Sequence, residues 1–91
     1  MTGEETPEEF WATLAARLLH PFQVQIIEAM RWIERPLSAS ELVHVFERKQ
    51  RLSTVAYHVR RLDSLGALKP AGQRNPARGS VEKFYRLGFG G

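Results

Sequence analysis

The sequence predicts a mainly α domain that ends in a small β-hairpin. Three observations carry this. Two capping boxes, Thr6-Pro7-Glu8-Glu9 and Ser38-Ala39-Ser40-Glu41, each precede apolar residues at helical spacing. Residues 51–62, RLSTVAYHVRRL, repeat that spacing, with Val55, Val59 and Leu62 at i, i+4 and i+7. After Gly66 the pattern changes to two short strand-like runs around a stretch rich in Gly, Pro, Asn and Arg.

Ninety-one residues make one domain. A chain of this size can bury about 60–65% of its unfolded surface, enough for one modest core. An apolar content of 43% argues for a folded globule. The chain has no cysteine, so a disulfide framework and a thiolate metal site are excluded, which suits a reducing cytosol. No apolar run approaches the ~18 residues of a membrane span. The acidic start, MTGEETPEEF, is not a signal or transit peptide.

The net charge of +3 hides an asymmetry. Residues 1–45 carry −4, with Arg17, Arg31 and Arg35 against seven carboxylates. Residues 46–91 carry +7, with ten Lys/Arg against Glu47, Asp63 and Glu82. A basic half beside an acidic half points to one surface facing a polyanion and one facing elsewhere.

The elements follow in order. The first capping box, with Pro7 at the first helical position, opens a helix over about 7–19. Phe10, Trp11, Leu14, Ala15 and Leu18 form its apolar stripe, which serves the core or a dimer interface. His20-Pro21 begins a second helix, about 22–34. Phe22, Ile26, Met30 and Ile33 mark its main buried face, and Val24 and Ile27 lie largely off it, as in a helix covered on more than one side. The second capping box opens a short helix, about 39–47, with Leu42, Val45 and Phe46 as apolar positions. Ser53 is expected to cap a fourth helix, about 54–65, that Gly66 ends as its C′ residue. Residues 67–87 read as a two-stranded wing in which Val81, Tyr85 and Leu87 face inward. Phe84 breaks the alternation, as a strand covered on both faces or bulged would. Residues 88–91 read as a frayed tail.

Helix, helix, short helix, recognition helix and basic hairpin is the order of a winged helix-turn-helix. The chain resembles the ArsR-type winged-helix regulators in three segments: HPFQVQIIEAM (20–30), LSASELVHVF (37–46) and STVAYHVRRLDSLGALK (53–69). KFYRLG (83–88) is similar to the family's wing-closing strand. The resemblance implies a sequence-specific DNA-binding regulator, usually a homodimer, with its fourth helix in the major groove. Where some members carry Cys-x-Cys this chain has Val43-His44-Val45, so metal sensing is unsupported. The chain stops at Gly91, where members often add a final helix. A dimer would therefore rest on the first helix, through Phe10, Trp11, Leu14 and Leu18, or be absent.

The candidate chemistry sits in 48–78. A recognition helix needs short polar groups near its start, because bulk would hold it off the base edges. Ser53 and Thr54 fit, and Thr54 can also touch a thymine methyl. Tyr57 can bond a base edge or a phosphate, and Arg60 and Arg61 can hold guanine or clamp phosphates. Ser53, Thr54, Tyr57, Arg60 and Arg61 are thus the expected base readers. Arg48, Lys49, Gln50 and Arg51 before the helix, and Arg74 and Arg78 in the wing, are the expected backbone contacts. Each basic group is otherwise a solvated loop charge.

His58 lies at the edge of the apolar face, as a half-buried, hydrogen-bonded histidine would. The spacing of His20, His44 and His58 matches no compact zinc site, so no metal or cofactor is expected. No phosphate-binding glycine loop, G-x-S-x-G or nucleophile with a base appears, so no enzyme is expected. The sequence therefore predicts a transcriptional regulator, a repressor, that binds double-stranded DNA. It would be cytoplasmic and associated with the nucleoid when bound. The alternative is a winged-helix module for protein–protein contact, with Trp32 and Trp11 as its aromatic surface.

Overall fold

The computed structural model describes residue 9, residues 20–75 and residues 81–89. The expected first helix, with Phe10, Trp11, Leu14 and Leu18, lies outside the described residues except for Glu9, which is helical. Arg78 lies outside them too.

Among the described residues, three helices pack on a three-stranded antiparallel sheet. The helices are α1 (Pro21–Ile33), α2 (Ala39–Val45) and α3 (Leu52–Ser64). The strands are β1 (Leu37–Ser38), β2 (Leu68–Arg74) and β3 (Glu82–Leu87), in the order β1-β3-β2. This corrects the expectation of a mainly α winged helix with four helices and a two-stranded wing. The domain is small α/β, and its hairpin is part of a larger sheet. The extra strand is β1, which pairs Leu37 with Tyr85 and Ser38 with Phe84. Two residues are too few to show an alternating pattern.

α1 starts where its sequence says it should. Pro21 occupies the first turn, and His20 caps the helix by accepting the Phe22 N–H on Nδ1 at 3.0 Å. Gln23 completes a capping box by accepting the His20 N–H at 3.3 Å. At about 100° per residue, Phe22, Ile26, Met30, Gln23 and Ile27 sweep one buried sector of about 140°. Ile27, off the expected main face, is fully buried and Val24 packs against the core, so the covered sector is wider than one i, i+4 row. Ile33 lies at the surface, in the last turn before Glu34, whose φ of 61° ends the helix.

α2 has the predicted capping box: the Ser38 hydroxyl accepts the Glu41 N–H at 3.1 Å, and Glu41 accepts the Ser38 N–H at 3.1 Å. Leu42 is buried, whereas Val45 is exposed. α3 begins earlier than expected. Its N-cap is Arg51, whose carbonyl accepts the Val55 N–H at 3.0 Å. Ser53 is therefore inside the first turn and is not the cap. The other end is as predicted. Gly66 has φ 80°, the Ala67 N–H reaches the Leu62 carbonyl at 2.9 Å, and the Gly66 N–H reaches that of Asp63 at 3.0 Å.

β2 runs from Leu68 to Arg74 and is an edge strand, which tolerates Pro70 without its N–H. The register slips by one residue between Pro70 and Gln73, a bulge made possible by Gly72 at φ 125°. Val81, expected to face inward, precedes β3 and is exposed. The core joins the helices to the sheet through Ile26 and Ile27 of α1, Leu62 of α3, Leu37 of β1 and Leu68 of β2, all fully buried. Gly88 and Phe89, assigned to the tail by sequence, are held by the body. The Gly88 N–H donates to the Ala67 carbonyl at 2.8 Å, and Phe89 packs on the core.

A side chain at residue 88 has no room, since its Cβ would lie 2.2 Å from the Gly66 carbonyl oxygen. Gly88→Ala should lower the unfolding free energy by about 1–3 kcal/mol in urea melts, because β3 must move off the α3 terminus.

Candidate nucleic-acid interface

α3 has two faces of different chemistry. Val55, His58, Val59 and Leu62 point into the domain and fix the helix. Ser53, Tyr57, Arg60, Arg61 and Ser64 are exposed on the other side, and Thr54 is half-buried. The five predicted base readers thus share the side of α3 turned away from the core. Tyr57 is 53% exposed, a large aromatic surface to leave in water. The Ser53 hydroxyl is exposed in the first turn, where it can reach a groove edge.

The connection from α2 to α3, residues 46–51, is short and strained. Glu47 and Arg48 both adopt left-handed backbone, at φ 59° and 61°, although neither is glycine. Each costs on the order of 1 kcal/mol. Bonds from the Glu47 N–H to the His44 carbonyl at 3.0 Å and from the Arg48 N–H to that of Val43 at 2.8 Å hold the reversal. The result places Arg48, Lys49, Gln50 and Arg51, all exposed, at the head of α3. The Lys49–Glu47 pair, 3.7 Å apart and well exposed, contributes little.

A groove of about 530 Å³ separates α3 from β3. Ala56 and Arg60 line it from α3, Ser40 from α2, and Lys83 from β3. Ser40 and Lys83 were not among the sequence-predicted site residues. Ser40 reads only as part of a capping box, and Lys83 only as the polar side of a strand. Nothing in their own neighbourhood indicates that the chain folds them onto the groove that Arg60 lines. Tyr85 closes the groove floor. Burial, with Asp63 nearby, pushes its hydroxyl pKa up, and Arg60 pulls it partly back.

Arg74 is placed differently from a loop-tip cation. It is the last residue of β2, paired across the strands with Glu82. Its Nε donates to Glu82 Oε1 at 3.2 Å, a terminal nitrogen bonds the same oxygen, and the guanidinium lies 5.8 Å from the Phe84 ring centre.

Behind the exposed face of α3 is a buried polar link. Gln23 Nε2 donates to His58 Nδ1 at 2.9 Å. Gln23 can do this while its carbonyl accepts the His20 N–H, so the amide orientation is set by both bonds. The His20 and His58 rings lie 4.8 Å apart, and the Tyr57 ring meets His58 edge-on at 5.2 Å. His58 needs a lone pair on Nδ1, which a protonated ring lacks. Burial, then the neighbouring His20, hold its pKa below the usual histidine value.

Among the described residues, no group of three or more His, Asp or Glu side chains is placed to hold a metal ion. No described helix is long and apolar enough to cross a membrane. No protein-family model and no curated protein matches the chain.

The depressed His58 pKa gives stability a defined pH dependence. The unfolded chain takes up a proton at His58 near pH ~6.5, where the folded domain resists it. The contribution is therefore complete above about pH 7 and is lost as the pH falls below about 6.5. Urea midpoints measured across that window should drop on the acid side. His58→Gln, which keeps an acceptor for Gln23 but does not titrate, should flatten that part of the profile.

Proposed function

We propose that this domain is a sequence-specific regulator of transcription, a repressor, that binds double-stranded DNA. α3 enters the major groove, and the β2–β3 hairpin lies against the backbone or the minor groove. The supporting observation is the outer face of α3. Ser53, Tyr57, Arg60 and Arg61 share it with the half-buried Thr54, and Val55, His58, Val59 and Leu62 are buried behind them. The basic connection before α3 and Lys83 across the groove add phosphate contacts on either side. The segments similar to ArsR-type regulators agree with this reading. It includes a homodimer and a place in the cytoplasm on the nucleoid.

A second reading is supported by Trp32. At 84% exposed, it is the largest apolar surface at the end of α1 and suits a protein partner. Failure to recover any salt-sensitive duplex from a random library would favour that reading. A palindromic site recovered from the same library would support DNA binding and a twofold dimer together.

The groove assignment is tested at Arg60 and Arg61, which are exposed and can be removed without opening the core. Arg60→Ala with Arg61→Ala should weaken binding to the selected duplex about 10- to 100-fold. The slope of log affinity against log salt should fall by about two. The thermal midpoint should hardly move. Unchanged binding by the double variant would remove α3 from the interface.

A further inference from the structure

Residues 67–87 contain one carboxylate, Glu82, among Lys69, Arg74, Arg78, Lys83 and Arg86. On a surface that meets phosphates, a lone negative charge is unfavourable unless it does something the cations cannot. Its contacts show what that is. Glu82 Oε2 accepts the Ser38 hydroxyl at 2.5 Å, and Oε1 accepts both Arg74 bonds. The Glu82 side chain is 19% exposed, and the Arg74 side chain is 67% exposed.

We propose that Glu82 is a positioning residue for DNA binding, one that ties the hairpin to the start of α2 and aims Arg74 at the duplex backbone. This rests on the DNA-binding reading above. The Ser38 hydroxyl has one proton to give and gives it to Glu82, while its oxygen accepts the Glu41 N–H of α2. The hairpin and the helix before the recognition helix are thereby joined through a single buried atom; Ser38 is 1% exposed. Arg74 has five N–H donors. Glu82 takes two, the guanidinium carbon lies 5.8 Å from the Phe84 ring centre, and the Arg74 side chain remains 67% exposed. A guanidinium held in this way keeps its charge for a phosphate and has less rotamer freedom to lose on binding.

The test turns on a sign. Simple electrostatics says that removing a carboxylate beside DNA tightens binding. Positioning says the opposite. Glu82→Gln should weaken binding to the library-selected duplex about three- to tenfold, by anisotropy titration of the full chain. Arg74→Ala should cost a similar factor, and the double variant no more than Arg74→Ala alone. In the free protein, the Arg74 Nε–H resonance should be protected from exchange and lose that protection in Glu82→Gln. This readout needs no DNA and is not moved by a small change in overall stability. Equal or tighter binding by Glu82→Gln, additive losses, or an unprotected Arg74 Nε–H in the wild type each overturns the proposal. If Arg60 and Arg61 matter while Glu82→Gln binds tightly, only this inference fails. If no salt-sensitive duplex is recovered, it fails together with the DNA-binding reading.

Discussion

The constraint on which the architecture most depends is the placement of Leu37 and Ser38. Leu37 is fully buried and Ser38 almost so. In two residues the chain adds a third strand to the sheet, starts α2 and anchors the hairpin. None of these is strong separately. A two-residue strand, a seven-residue helix and a hairpin are each marginal in water. They hold because they share atoms. The Ser38 backbone pairs with β3, while its hydroxyl caps α2 and bonds Glu82.

The same economy explains why α3 can turn so polar a face outward. Its inner face is narrow, with Val55, Val59 and Leu62 plus one histidine. The histidine is tolerated there because Gln23 satisfies it, and Gln23 is held because His20 caps α1. The start of α1 and the middle of α3 are thus joined by hydrogen bonds as well as by packing. Such a link fixes a helix in rotation, which apolar contacts alone do less well. For the proposed role of α3 in a groove, rotational setting is the relevant property.

Much of this was legible in the sequence, and the exceptions have a common cause. The Ser38 capping box, the Gly66 terminus and the apolar face of α3 are local patterns, and each appears where its residues indicate. The features that escaped depend on partners far along the chain. β1 is defined only by pairing with β3, and Ile27 is buried only because other elements cover its side of α1. The N-cap of α3 is Arg51, two residues before Ser53, and it follows a left-handed turn at Glu47 and Arg48 that sequence gives no reason to expect. In the candidate interface, the exposed face of α3 was readable from helical angle. Ser40 and Lys83 were not, since only the fold brings them onto the groove that Arg60 lines.

The strain at Glu47 and Arg48 bears on how the interface is assembled. Glycine at either position would relieve the left-handed backbone at little steric cost. The chain instead has a carboxylate and a guanidinium there, held by bonds from their N–H groups back to α2. Both side chains are exposed. Arg48 stands at the entrance of α3, beside Lys49 and Arg51. A conformational cost of about 1 kcal/mol per residue is of the same order as the value of one well-placed charge against a phosphate. The turn thus gives up some stability and places cations where the proposed duplex would run. At the other border of the proposed interface, the Glu82 carboxylate holds Arg74 by two hydrogen bonds.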